Sequence, residues 1–223
     1  MKLILIIFCI ATGLSSTGLA QVTPPDSVPA SSGADSLLTS LMSDSSVSAQ
    51  PLLPSKMIFT QRIFWGPKGL LRVMNLAPLT PEGREHELKI RRTMLVSHQV
   101  MGFVTLAGFI AQGIVGAKLY NATGDQYSRL LRTHDALATG VNITYTTTAV
   151  LSLAAPPKML TERKGLSSIK LHKYLAVAHI AGMITTNVLA GMLHAHPELK
   201  PYHRAAAYTT FGAFALSIVA IKF

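Results

Sequence analysis

Cysteine is almost missing from this chain: Cys9 stands alone among 223 residues. That excludes a disulfide framework, a Cys-ligated zinc site and an iron–sulfur cluster. With no CxxCH present, covalent c-type haem is excluded too. Charge is also scarce. Only 13% of residues are charged, about half the share of an ordinary soluble domain. The acidic side is the thinner, with 10 Asp and Glu against 20 Lys and Arg. In a soluble protein such an excess points to nucleic acid. Here no RNA-binding signature or aromatic-interleaved basic stripe accompanies it, and no nucleic-acid partner is expected. Lys158, Arg163, Lys164, Lys170 and Lys173 sit between apolar runs, where they read as contacts to membrane lipid headgroups and as determinants of topology.

What the chain has is apolar length. Hydrophobic residues make up 49% and the mean hydropathy is +0.37. Residues 1–20 carry Lys2, the apolar run Leu3–Ala11 and a small-residue end at Gly18-Leu19-Ala20, the layout of a secretory signal peptide. A retained signal anchor is the alternative. Residues 21–56 are rich in Ser, Pro, Asp and Ala, too polar to offset their ordering entropy, and read as a disordered tether on the exported side. Residues 57–93 mix apolar and basic side chains around Gly66 and Pro67. They read as an interfacial amphipathic segment, with Trp65 and the arginines at headgroup level. Residues 94–223 form the last unit. Four apolar stretches, 94–119, 134–155, 171–193 and 203–221, are each near the ~20 residues that cross a bilayer core. The short connections predict antiparallel neighbours. The expected fold is an all-α multi-pass membrane protein, an up-down four-helix transmembrane bundle in a plasma or inner membrane.

Each expected span opens with a histidine: His98, His134, His172 and His203. Histidine inside a membrane span is costly and usually functional. In an antiparallel bundle the starts of helices 1 and 3 share one face of the membrane, and those of 2 and 4 the other. His98 therefore meets His172 and His134 meets His203, both diagonally. Neighbouring axes ~10 Å apart give a diagonal of about 14 Å, which fits two imidazoles reaching one iron between them. Four residues after each histidine, on the same face, stand Gly102, Ala138, Ala176 and Ala207, all small enough to leave room for a flat macrocycle. Zinc prefers about four protein ligands in a compact tetrahedron, whereas bis-histidine haem needs two ligands and a wide apolar slot. Two sites for haem b follow, their irons ligated by His98/His172 and His134/His203.

The region from about Arg92 to Phe223 resembles the cytochrome b561 family, including its DOMON-linked members. The likeness lies in Ser97-His98-Gln99, Thr133-His134-Asp135, Leu171-His172-Lys173 and Tyr202-His203-Arg204. Lys118 at the end of the first core helix, and Asn187 ahead of Gly191 in the third, add to it. The resemblance implies two haems b, one toward each membrane face, and transmembrane electron transfer. The extra helix that full-length eukaryotic members carry at each end, an ascorbate-site motif and a DOMON module are not found.

Other residues have more than one reading. His179 lies seven residues after His172, nearly on the same face, and is the alternative ligand. Otherwise it is a buried histidine bonded to a neighbouring helix, at the threonine run Thr146–Thr148. His194 and His196 read as a solvated loop tip, against a metal, quinone or propionate site. Arg132, Lys173 and Arg204 stand within two residues of a proposed ligand, as cations for haem propionates or as ordinary juxtamembrane charges. Tyr174 and Tyr202 mark the interface. Orientation rests on the signal peptide, which puts the His98/His172 face outside. The basic residues of 57–93 and 158–170 argue the reverse by the positive-inside rule. No catalytic residue is assigned. The expected role is an electron-transfer cytochrome or the membrane subunit of an oxidoreductase, between a donor and an acceptor such as quinol or a redox protein. A non-redox scaffold and a self-contained quinone-linked or ferric reductase are the rivals.

Overall fold

A computed structural model describes residues 51–159 and 167–222. The expected signal peptide, the tether up to residue 50 and the basic residues Arg163 and Lys164 lie outside the described residues. Six α-helices follow one another: α1 Phe59–Trp65, α2 Leu70–Val73, α3 Pro81–Tyr120, α4 Gly124–Leu153, α5 Ser168–Met192 and α6 Lys200–Lys222. A 3₁₀ turn at Pro197–Leu199 precedes the last. Among the described residues there is no strand.

The starts of the long helices follow from local chemistry. Thr80 caps α3 by accepting from the Gly83 N–H at 3.0 Å, with Pro81 at the first helical position, where its missing N–H costs nothing. Ser167 caps α5 by accepting from the Lys170 N–H. Gly124 opens α4 at a φ of +55°, a left-handed conformation that glycine adopts without strain. The helices also extend past the apolar stretches. The charged lead-in Glu82–Arg92 is the beginning of α3 itself, adding about 20 Å of helix before the apolar part. Likewise α4 begins ten residues ahead of His134.

α3 packs along α4 and α5 along α6, as two hairpins, and α3 also meets α6. Across the α4–α5 seam, Asn142 and Asn187 exchange two amide hydrogen bonds of 3.0 Å each. The Tyr145 hydroxyl bonds His179 Nδ1 at 2.7 Å. The polarity of this assembly is inverted relative to a soluble bundle. Thr105, Thr148, His179, Thr210 and Ser217 are buried, while Val100, Ile114, Ile143, Val177, Val188 and Leu216 are exposed. Three helical stretches, Pro81–Tyr120, Ser168–Met192 and Pro197–Ile221, are long and apolar enough to cross a membrane. Of the four expected spans, the one on α4 falls short of that measure, because Asn142, Tyr145 and the threonines from Thr139 to Thr148 lower the hydropathy of its apolar part.

Residues 57–93 pack against the end of α4. Trp65 is buried, and its indole N–H donates to the Ala154 carbonyl at 2.8 Å. Thr60 and Gln61 donate to the carbonyls of Leu153 and Ala155, Arg91 to that of Pro156 and Arg84 to that of Pro157. Five consecutive carbonyls leaving α4 are thus each held by a different side chain of this segment. Arg84 and Glu87 are both 1% exposed, and Glu87 pairs with Arg84 and Arg72. The apolar face turned outward belongs to Phe59, Val73 and Leu76 instead.

Candidate functional site

The inward side of α3–α6 is built on one register, counted from each histidine. Four residues on are Gly102, Ala138, Ala176 and Ala207, the first buried and the others half-buried. Seven on are Thr105, Val141, His179 and Thr210, all buried. Eleven on are Phe109, Tyr145, Met183 and Phe214, which with Val141 form the hydrophobic core. Steps of 4, 7, 11 and 14 residues return to nearly the same side of a 3.6-residue helix, so each position faces inward. Because paired helices are antiparallel, the count runs from one end on α3 and α5 and from the other on α4 and α6. Fourteen on are Gln112, Thr148, Thr186 and Ser217. Each of these reaches the histidine of the helix with which it forms a hairpin.

At one end, His98 Nδ1 bonds the Thr148 carbonyl at 2.8 Å and His172 Nδ1 bonds the Ser217 carbonyl at 2.8 Å. A carbonyl only accepts, so each Nδ1 carries the proton and each neutral ring keeps its lone pair on Nε2. The two ring centres are 6.2 Å apart with planes at 88°. A metal about 2 Å from each ligating nitrogen sits about 3 Å from each ring centre, so a metal shared by two imidazoles sets the centres about 6 Å apart. The pair meets that spacing. Beside it opens a cavity of about 400 Å³, lined among others by Gly102, Tyr145, Ala176, His179 and Phe214, a volume within the range of small-molecule and cofactor sites. Gly102 leaves the wall open, since a Cβ there would meet only Thr148 Cγ2, at 3.9 Å.

At the other end, His203 Nδ1 bonds the Thr186 carbonyl at 3.1 Å, the arrangement of the first two. His134 departs from it. Its Nε2 lies 3.1 Å from Gln112 Nε2, while its Nδ1 and Gln112 Oε1 are buried without a partner. Among the described residues, no ring contact joins His134 to His203 of the kind that joins His98 to His172. Because Gln112 is level with His134, the two ends are separated by the rise of 14 residues along α3, about 21 Å. Between them Phe109, Tyr145, His179 and Phe214 stack with centres 5.1–6.3 Å apart, one ring from each long helix.

His172, not His179, is the residue that faces His98. His179 is bonded to a neighbouring helix, but through Tyr145 rather than the threonine run. Arg132, Lys173 and Arg204 are all exposed. Arg204 stacks on Tyr120 and Tyr208, with its guanidinium carbon 4.6 and 5.7 Å from the ring centres. His194 and His196 stand exposed in the α5–α6 connection, where His196 pairs with Glu198 at 3.0 Å. Tyr174 and Tyr202 point outward. Among the described residues no group of three or more His, Cys, Asp or Glu is gathered that could hold a metal ion, so each histidine pair stands without the further donors a zinc ion takes. The carbonyls of Thr148, Thr186 and Ser217 were not foreseeable as partners, because any residue supplies one. Gln112 was visible only through its count from His98. No known protein family, curated protein or solved structure matches the chain.

Proposed function

We propose that the chain is an integral membrane electron carrier of cytochrome b561 type: α3–α6 form a four-helix transmembrane bundle that holds two b-type haems, one between His98 and His172 and one between His134 and His203. The observation that carries this reading is the His98–His172 pair. Two protonated Nδ1 atoms are anchored on carbonyls 2.8 Å away and the ring centres stand 6.2 Å apart beside an apolar cavity. Such carbonyl anchors fix tautomer and ring orientation and raise ligand basicity. His203 is prepared in the same way. His134 fits by position, though its Nε2 is engaged by Gln112.

Haem held by two histidines supplies reversible one-electron exchange at a potential tuned by ligation and burial. The protein's own part is to keep both ends dry and apart. The rings of Phe109, Tyr145, His179 and Phe214 stand between them, with centres 5.1–5.6 Å apart along the chain of contacts. α4 is read as the fourth span despite its threonines, because Thr139, Thr144, Thr147 and Thr148 bond the carbonyl four residues back. Hydroxyls satisfied within the helix carry little of the desolvation penalty that hydropathy assigns them. With a cleaved signal peptide, the His98/His172 end faces the exported side. Donor and acceptor at the two faces are a quinol or a redox protein.

Purified protein tested by a reduced-minus-oxidised spectrum should give the sharp visible α-band of bis-histidine haem b. Alanine at His98 or His172 should remove about half of the haem, as in a site that loses one of two axial ligands. A colourless protein, or four alanine variants with unchanged haem content, would sink the reading and leave a membrane scaffold.

A further inference from the structure

Three of the four inward histidines are anchored in one way and the fourth is not. His98, His172 and His203 each give Nδ1–H to a backbone carbonyl of the residue at the fourteenth position. That bond protects the ring's tautomer and leaves Nε2 for the interior. His134 is held at Nε2 instead, and by a side chain, Gln112. Two buried polar atoms, His134 Nδ1 and Gln112 Oε1, have no partner. Turning the amide over exchanges its oxygen and nitrogen but still leaves one amide atom and Nδ1 unpaired, so no choice of amide orientation repairs the site. Buried unpaired polar atoms are rare in native proteins. Here one lies on the one histidine that breaks the pattern and the other on the glutamine that holds it. Gly116 lets the ring lie against α3: a Cβ there would stand 3.0 Å from His134 Cε1, tighter than an ordinary contact.

We propose that the two histidine pairs are inequivalent, and that Gln112 is a positioning residue which holds His134 back, so that His98/His172 takes its haem first and His134/His203 only after His134 releases the amide. The proposal rests on the reading of both pairs as haem ligands. Neither half of the second site is missing. His203 is set for ligation, and His134 Nε2 comes free once the Gln112 bond is given up, though its Nδ1 lacks the carbonyl anchor of the other three.

Haemin titrated into the purified, haem-free full-length protein in detergent, followed by visible absorbance, tests this. The wild type should bind in two steps, the second about tenfold weaker, the size of effect expected from one buried hydrogen bond that must be given up. His98→Ala should remove the tight step and His203→Ala the weak one. Gln112→Leu, and independently Gln112→Met, should bring the two dissociation constants within a few-fold of each other while leaving the tight step unchanged. That unchanged step is also the control for folding. Equal affinities in the wild type, or an unaltered ratio in both Gln112 variants, would overturn the proposal while the haem reading stood. Absence of haemin binding, or histidine variants that remove neither step, would instead bring down the haem reading itself.

Discussion

Tyr145 shows how one side chain serves two neighbours. Its hydroxyl bonds His179 Nδ1 across the α4–α5 seam, and its ring packs on Phe109 and Phe214. Tyr145→Phe keeps the ring contacts and leaves a buried imidazole nitrogen unpaired, at a cost of about 1–3 kcal/mol. Thermal unfolding in detergent should show the drop, with haem content at the His98/His172 end retained. His172 and His179 separate at the same scale. His172→Ala should lose the haem of that end and His179→Ala should keep it, measured as haem per chain. Which of the two faces His98 was legible from spacing, because His172 sits at the depth of the other three histidines. The partner of His179 was not. A tyrosine and a threonine one to three residues apart on α4 differ in the direction they face, and only packing decides between them.

At the scale of elements, the segment around α1 and α2 closes over the end of α4. Three of the charges there are sheltered: Glu87 meets Arg84 and Arg72, while Arg84 also reaches the Leu52 and Pro157 carbonyls. Glu87→Gln leaves two buried guanidiniums without a counter-charge, which should destabilise the protein by about 3–5 kcal/mol. The exposed Glu85–Lys89 pair is the internal contrast, and Glu85→Gln should leave the melting temperature unmoved. A sequence reading places Arg84 and Glu87 in solvent, because single charges are almost never fully buried unless paired, and the pairing partner, Arg72, stands on another element. The partner of Trp65 was hidden for a related reason: its indole N–H meets the Ala154 carbonyl at the end of α4, and a backbone group is announced by no residue type.

For the molecule as a whole, the pairing of helices and the diagonal meeting of His98 with His172 were legible from four apolar stretches with a histidine near the start of each. Beyond the small residues four after each histidine, the inward positions at 7, 11 and 14 residues were written in the chain as well. The last set is not legible from residue type because it acts mostly through backbone carbonyls, which no side chain announces. Whether α4 crosses the bilayer has a direct test. With Cys9 replaced by serine, single cysteines at Thr123 and at Met159 lie in the connections at the two ends of α4. An impermeant thiol reagent applied to intact cells should label one and not the other, and both after permeabilisation. Labelling of both positions from one side would mean that α4 does not cross.

The capture of five successive carbonyls, from Leu153 to Pro157, by side chains between Thr60 and Arg91 imposes an order on biosynthesis. The donors leave the ribosome some 65 to 95 residues before their acceptors, so they must wait while α3 and α4 are threaded into the membrane. Only a chain whose second long helix has emerged can close the cap. Nascent chains halted before Leu153 should therefore be clipped by protease between residues 57 and 91, and chains halted beyond Met159 should resist.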